Sequence, residues 1–253
     1  MQSIPILFVL AFFSCTKNSD SLYPSMDIII PGQLDWQKNL YFKKIQHFKN
    51  NPIGKYKIIF LGNSITEGGG DWNKRFQSKS IVNRGISGDY TKGILNRLGE
   101  IIFYKPNAVF LMIGINEFFS DNSARPEITP EYVANNILKI ARLIKKESPN
   151  TKLFLSTILP INNQQYIEVK DVSYNFLHSE YMPSVNEQVE TTNLLIKKNK
   201  EFPVIDLHPK FLNKDSMMNR DYSKDGVHLN ENGYKIWVDE VKDIIIELEQ
   251  NNN

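Results

Sequence analysis

Short, unbroken apolar runs alternate with amphipathic stretches of helical period along residues 57–207, and this restricts the possible fold more than any other feature of the chain. Five runs stand out: 57–61 (KIIFL), 80–83 (SIVN), 107–113 (NAVFLMI), 152–159 (KLFLSTIL) and 202–207 (FPVIDL). Gly62, Gly114 and Pro160 close three of them. Continuous rather than alternating apolarity suits strands covered on both faces, as in a parallel sheet.

The intervening stretches read as helices. Residues 91–103 carry Ile94, Leu95, Leu98, Ile101 and Ile102. Residues 130–147 place Val133, Ile137, Ile140, Ala141 and Ile144 on one face, with Thr129 as N-cap, Pro130 at the first helical position and Ser148-Pro149 as the stop. Residues 184–200 and 231–249 are two more, and 36–50 is an amphipathic helix upstream, with Trp36, Leu40 or Tyr41, Ile45 and Phe48 on its apolar side. This order predicts a single doubly wound α/β domain spanning 35–250. Residues 161–183 are polar and aromatic without clear period, which predicts a long loop with a functional role.

The N-terminal end reads differently. Residues 4–13 (IPILFVLAFF) form an apolar run too short to span a bilayer but of the length of a signal-peptide core. Ser14 precedes Cys15, the sole cysteine of the chain, and a polar stretch follows. The arrangement resembles a bacterial lipoprotein signal, although it lacks a basic n-region and has Phe12 where Leu is usual. The expectation is a signal peptide at 1–14, a lipid anchor at Cys15, and a tether at 15–34 whose apolar patch Ile28-Ile29-Ile30 docks on the domain. The protein is then exported and held in the cell envelope, or, with a plain secretory signal, periplasmic or secreted. With one cysteine no intrachain disulfide can form, so stability rests on the core. Lys plus Arg number 30 against 28 Asp plus Glu, a balance that argues against a nucleic-acid partner.

The polar residues gather where the strands end, which is where open parallel sheets bind ligands. The first strand is followed by Gly62-Asn63-Ser64-Ile65-Thr66-Glu67-Gly68, and the second by 83–89 (NRGISGD). The third is followed by Gly114-Ile115-Asn116-Glu117, and Asp225-Gly226-Val227-His228 precedes the last helix. A serine hydroxyl is a poor nucleophile until a base takes its proton. Ser64 in the first turn is the candidate nucleophile, His228 the candidate base, and Asp225 the group that fixes the imidazole tautomer. An oxyanion needs donors held in advance, and the N–H of Ser64, the N–H of Gly88 and the side-chain amide of Asn116 could supply three.

These four blocks, with the phrases NRGISGD, LMIGINE and DGVHLNENGY, resemble the SGNH (GDSL-like) hydrolases. The similarity is greatest to the branch of the platelet-activating factor acetylhydrolase catalytic subunits and bacterial acetylesterases, and it covers about residues 57–237. The resemblance implies a three-layer α/β/α flavodoxin-like fold with a five-stranded parallel sheet, and Ser64, Gly88, Asn116 and His228 as the name-giving residues. It further implies that Asp225 completes the triad, that no cofactor is needed, and that the substrate is a small-molecule or glycan ester, an acetyl ester in that branch. Two positions depart from the pattern: Asn63 stands where the family has Asp, and Glu117 where Asp is commoner. Neither carries the nucleophile, the base or a donor, so both read as tolerated variants.

Other readings fare less well. Taken singly, Ser64 is a helix cap and Asp225–His228 a surface pair; only their company makes them candidates. His47, His178 and His208 lack such company and read as structural or solvent-facing, with His178 the one of the three placed in the long loop. No second ligand stands at metal spacing near His228, so no metal site is expected. Gly68-Gly69-Gly70 is neither a P-loop nor a dinucleotide fingerprint, and 85–89 (GISGD) fails as a G-x-S-x-G elbow. Trp72 and Phe76 read as packing residues rather than a sugar platform. The alternatives are a lysophospholipase or thioesterase acting on longer acyl chains, and a non-catalytic glycan-binding lipoprotein of the same fold.

Overall fold

The computed structural model describes residues 22–120 and 125–250; the apolar run at 4–13 and Cys15 lie outside them. Helix α1 (Asp35–Asn50) leads into β1 (Ile58–Gly62), followed by the short helices α2 (Ser64–Gly68) and α3 (Trp72–Phe76). Next come β2 (Ile81–Gly85), α4 (Thr91–Asn96), α5 (Gly99–Tyr104) and β3 (Ala108–Met112). Helix α6 (Pro130–Glu147), β4 (Lys152–Ser156), α7 (Asn163–Lys170), α8 (Val185–Lys198), β5 (Val204–Ile205) and α9 (Glu231–Gln250) complete the order.

The five strands form one parallel sheet in the order β2-β1-β3-β4-β5. The chain winds outward from β1 in both directions, so the order reverses between β1 and β3, and a crevice opens there at the carboxyl ends. Strand pleating explains the apolar runs. Ile59, Leu61, Val109, Leu111, Leu153 and Leu155 face one layer, with Ile94, Ile137, Ile140, Ile144 and Val189 of α4, α6 and α8. Ile58, Phe60, Phe110 and Met112 face the other, with Trp72 of α3 and Trp237, Val241 and Ile245 of α9. Phe60 stacks on Trp72 at 4.5 Å and on Phe110 at 5.0 Å, so Trp72 is a packing residue, as its sequence context indicates. The result is the expected α/β/α sandwich.

Helix α6 begins and ends as read, with the Thr129 hydroxyl accepting from the Tyr132 N–H and Ser148 at the C-terminal end. Four elements differ from expectation. The helix expected over 91–103 is two, α4 and α5. The break falls at Arg97, whose guanidinium turns inward to Asp89 and to the carbonyls of Gly62 and Arg84. The fifth strand shrinks to two residues, because Pro203 precedes it and Asp206 turns its carboxylate to Thr157 (3.1 Å). The expected long loop contains α7, whose N-cap Asn162 accepts from the Gln165 N–H. Its buried side is polar, so no apolar period announced it. Finally, α1 buries Tyr41, Phe42, Ile45 and Phe48 and leaves Trp36 55% exposed.

The segment read as a tether is packed from Leu22 onward. Ile30 joins Tyr41, Phe42, Ile45, Phe48, Ile86 and Tyr90 in a third cluster, which Ile28 and Tyr23 flank, while Ile29 points outward. The Tyr23 hydroxyl donates to Glu100 (2.9 Å), and the carbonyl of Leu22 lies against Gly99. Burying each of the four apolar side chains of α1 is worth roughly 1.5–3 kcal/mol, so α1 and its strap are part of the domain.

Candidate active site

Four loops at the carboxyl edge of the sheet meet in a cleft of about 470 Å³ whose lining includes Ser64, Gly88, Asn116 and His228. Ser64 opens α2 directly after β1. Asn63 is buried and caps that helix by accepting from the Ile65 N–H (3.0 Å). Asn in place of Asp thus keeps the capping oxygen and removes a buried charge. Among the described residues, no acceptor takes the N–H of Ser64 or of Gly88.

The loop before α9 is built to aim an imidazole. The Ser223 hydroxyl accepts from the N–H groups of Asp225 (3.3 Å) and Gly226 (2.7 Å) and donates to the carbonyl of His228 (3.0 Å). Oδ1 of Asp225 accepts from the N–H groups of Val227 (3.1 Å) and His228 (2.7 Å). Oδ2 then meets Nδ1 of His228 at 2.8 Å, and Nε2 of that ring meets Oγ of Ser64 at 3.0 Å. Gly226 holds φ +84°, and a β-carbon there would come within 2.3 Å of the Asn162 carbonyl, so the loop and the start of α7 can close only on glycine.

The charge on Asp225 is well supported. Burial works to raise its pKa, but the bonds from the His228 ring and backbone, together with Lys170, outweigh it and hold the carboxyl well below the usual range. A carboxylate at Nδ1 fixes the ring proton there and leaves Nε2 as an acceptor facing Ser64. The Lys170 Nζ lies 3.1 Å from the same Oδ2.

Gly88 has φ +75°. Asn116 opens a 3-10 turn (Asn116–Phe118) after β3, and its Nδ2 donates to the carbonyl of Asp89 (2.8 Å). That bond occupies one amide hydrogen and orients the other. Ser64, Gly88 and Asn116, the three expected oxyanion donors, thus line one cleft.

Three carboxyl groups brace this cleft from behind. Asp89 is paired with Arg97 (2.9 Å), and burial still pushes its carboxyl up to about 6. Glu117 accepts from the Thr91 N–H (2.6 Å) through Oε1, Oε2 has no hydrogen-bond partner, and burial raises the carboxyl to about 7. The extra methylene of Glu over Asp carries this carboxyl across to α4. Glu67 accepts from both the N–H and the hydroxyl of Ser87 (2.6 Å each) and pairs with Lys44. Burial opposes its ionisation, but these partners hold its carboxyl below the ordinary value.

One wall of the cleft is aromatic: Tyr174 stacks on Phe176 at 5.2 Å, and Phe119 packs edge-on against Tyr166 (5.4 Å) and Phe176 (5.9 Å). Leu34, Trp36 and Gln37 from the start of α1 also line it. Sequence reasoning did not place any of these at the site, nor Lys170 and Glu67. Glu67 lay within the quoted first block, and the aromatics of 161–183 were visible only as a composition. His178 lines a neighbouring cavity with Phe176, His208 is buried with Nδ1 against the Ile158 carbonyl (2.8 Å), and His47 is exposed. Among the described residues, no group of three or more His, Cys, Asp or Glu side chains is placed to hold a metal ion.

Residues 60–236 match the family described as GDSL-like Lipase/Acylhydrolase. Over 197 residues the chain is 24% identical to platelet-activating factor acetylhydrolase IB subunit alpha2 of Rattus norvegicus, with 76% of each chain covered. Its fold is similar to that of a GDSL-like lipase from Bacteroides thetaiotaomicron, at 22% identity and a TM-score of 0.64, covering 82% of this chain and 97% of the other. It is also similar to the fold of an acetyl xylan esterase, at 20% identity and a TM-score of 0.57, covering 75% and 99%.

Proposed function

The chain belongs to the GDSL-like lipase/acylhydrolase family and is an ester-hydrolysing enzyme; from that premise we propose that it removes a small acyl group, acetyl above all, from a carbohydrate through an acyl-enzyme on Ser64. The observation that carries this reading is the unbroken line from Ser64 Oγ to His228 Nε2 (3.0 Å) and from Nδ1 to Asp225 (2.8 Å). It lies in a cleft that also holds Gly88 and Asn116.

His228 Nε2 takes the Ser64 proton as Oγ attacks the ester carbonyl, and Asp225 stabilises the imidazolium that forms. The oxyanion is met by the N–H groups of Ser64 and Gly88 and the free hydrogen of the Asn116 amide. Collapse breaks the C–O bond to the alcohol, which leaves with the proton from His228. Water, deprotonated by the same nitrogen, then cleaves the acyl-enzyme and regenerates Ser64. Protons balance over the cycle and no cofactor takes part.

Two similar proteins support the acyl preference, since one is an acetylhydrolase subunit and the other an acetyl xylan esterase. The polar alcohol is supported by the exposed rings of Trp36 and Tyr174 at the cleft, because exposed aromatic faces suit sugar rings. A second reading, longer acyl chains, draws on Leu34, Phe119 and Phe176 in the same lining. Export, with a lipid anchor at Cys15, is part of the proposal; it rests on residues 4–20 alone.

A fluorophosphonate should label Ser64, and Ser64→Ala should abolish both labelling and turnover with the melting curve unchanged. Label on Ser87, or turnover that survives the substitution, overturns the assignment. Rates on acetyl and octanoyl esters of one alcohol, and on acetylated oligosaccharides, then separate the two substrate readings.

A further inference from the structure

We infer that Lys170 is a positioning residue of the catalytic machinery: it shares Oδ2 of Asp225 with the imidazole of His228, and its charge there favours the ring form that can take the Ser64 proton. The inference rests on the reading of Ser64, His228 and Asp225 given above.

Asp225 has four hydrogen-bonding commitments. Oδ1 is taken by two backbone N–H groups, and Oδ2 is shared by His228 Nδ1 (2.8 Å) and Lys170 Nζ (3.1 Å). The carboxylate side chain is 3% exposed, while that of Lys170 is 41% exposed. The cation therefore reaches a buried anion from the rim, and both of its neighbours are fixed. Lys170 is the last residue of α7. The start of that helix is locked to the catalytic loop by the Asn162 N–H donating to the Gly226 carbonyl (2.8 Å). Its outer side is tied down by Glu168 and Arg220 (2.8 Å). The helix thus delivers the ammonium group to one place.

Two positive charges sharing one carboxylate oxygen repel each other. While Lys170 is present, protonation of His228 brings a second cation to Oδ2, so the neutral ring, the only form able to act as a base, is favoured. The other titratable group facing the pair from α7 is Tyr166, whose phenol burial keeps neutral. From α2 the facing group is the Ser64 hydroxyl, and from their own loop Lys224 donates its backbone N–H to the His228 carbonyl (2.9 Å). Glu168 and Arg220 neutralise each other. Lys170 is then the side-chain cation in contact with Asp225 among the described residues.

The test is the pH dependence of kcat/KM on a small acetyl ester for the full chain and for Lys170→Met, Lys170→Gln and Lys170→Arg. Removing the cation should move the acid limb upward in the Met and Gln variants, so that kcat/KM at a pH on that limb falls several-fold relative to its plateau. Lys170→Arg should restore the wild-type limb. A packing role alone would change stability or rate but leave the limb in place. A limb that stays put in both neutral variants, or that moves as far in Lys170→Arg, overturns the inference. Ser64→Ala run in parallel separates the two failures: if it retains turnover, the catalytic reading has failed, whereas an inert Ser64→Ala with an unmoved limb sinks only the role of Lys170.

Discussion

Gly88 sits beneath the rim of Trp36: a β-carbon on Gly88 would come within 2.9 Å of the indole and within 2.9 Å of the Gln37 side chain. This glycine of the cleft lining is thus covered by the start of a helix that lies outside the family match at 60–236. Gly88→Ala should both strain a backbone at φ +75° and push against Trp36, displacing the donor. A fall in kcat of roughly 100-fold, comparable to loss of one oxyanion donor, with folding retained by circular dichroism, is the expected result. Wild-type kcat would remove Gly88 from the hole.

Trp36 itself should matter to the alcohol half of the substrate. Trp36→Ala is expected to raise KM for an acetylated oligosaccharide several-fold while leaving kcat/KM on p-nitrophenyl acetate within a factor of about three, since an aromatic contact is worth about 0.5–1.5 kcal/mol. Equal losses on both substrates would mean that it only supports Gly88.

Asn116→Ala should lower kcat by roughly 100- to 1,000-fold, about 2.7–4 kcal/mol, with little change in KM. Asn116→Asp should be no better, because it sets an acceptor and a negative charge where an oxyanion forms. Steady-state kinetics on one small ester decide the matter: a rise in KM at constant kcat would make Asn116 a binding residue.

Asp225→Asn should keep the fold and lose several orders of magnitude in kcat. An amide that donates to Nδ1 leaves the proton on Nε2, where it can no longer accept from Ser64. A near wild-type rate would assign the orienting role to another group.

Glu117 offers a stability prediction. Its carboxyl is raised from the ordinary range to about 7 by burial, so the folded state binds a proton that the unfolded state releases at lower pH. The resulting stabilisation is full below the unfolded value, is lost as pH rises through about 7, and is absent at pH 8. Glu117→Gln keeps an acceptor for the Thr91 N–H and has no charge to bury. Its melting temperature should match wild type near pH 4.5 and exceed it by a few degrees at pH 8, each kcal/mol being worth about 2–4 °C in a domain of this size. A variant less stable than wild type at both values would show that the carboxylate is needed as such.

The strands and the blocks that meet at the candidate site were legible because each is dictated locally. Residues 57–61 and 107–113 must be apolar to lie between two helical layers, and Ser64, Gly88 and Asn116 sit two, three and four residues past the ends of β1, β2 and β3, while His228 stands three residues before α9. What was hidden depended on distant partners. The break between α4 and α5 follows from Arg97 reaching Asp89, which the apolar spacing of Ile94, Leu98 and Ile101 does not reveal. Helix α7 buries Gln165 rather than an apolar stripe, so the helical period was missing where it would be sought. Lys170 stands 55 positions before Asp225, and one lysine among many carries no mark of the contact it makes. Trp36 looked like a core residue because it is an aromatic at roughly helical spacing; nine residues before Ile45, about two and a half turns, it falls on the opposite side of α1 and lines the cleft.

The strap at 22–34 gives the molecule a direction. Leu22 lies near Lys105 and Glu147, the residues that lead into β3 and β4, at the foot of the sheet, whereas Leu34 reaches the cleft at its crown. Strands of five residues separate the two levels by roughly 16 Å. A stalk rooted at Cys15, as proposed, would therefore enter at the base, and the mouth of the enzyme would open away from the membrane that holds it.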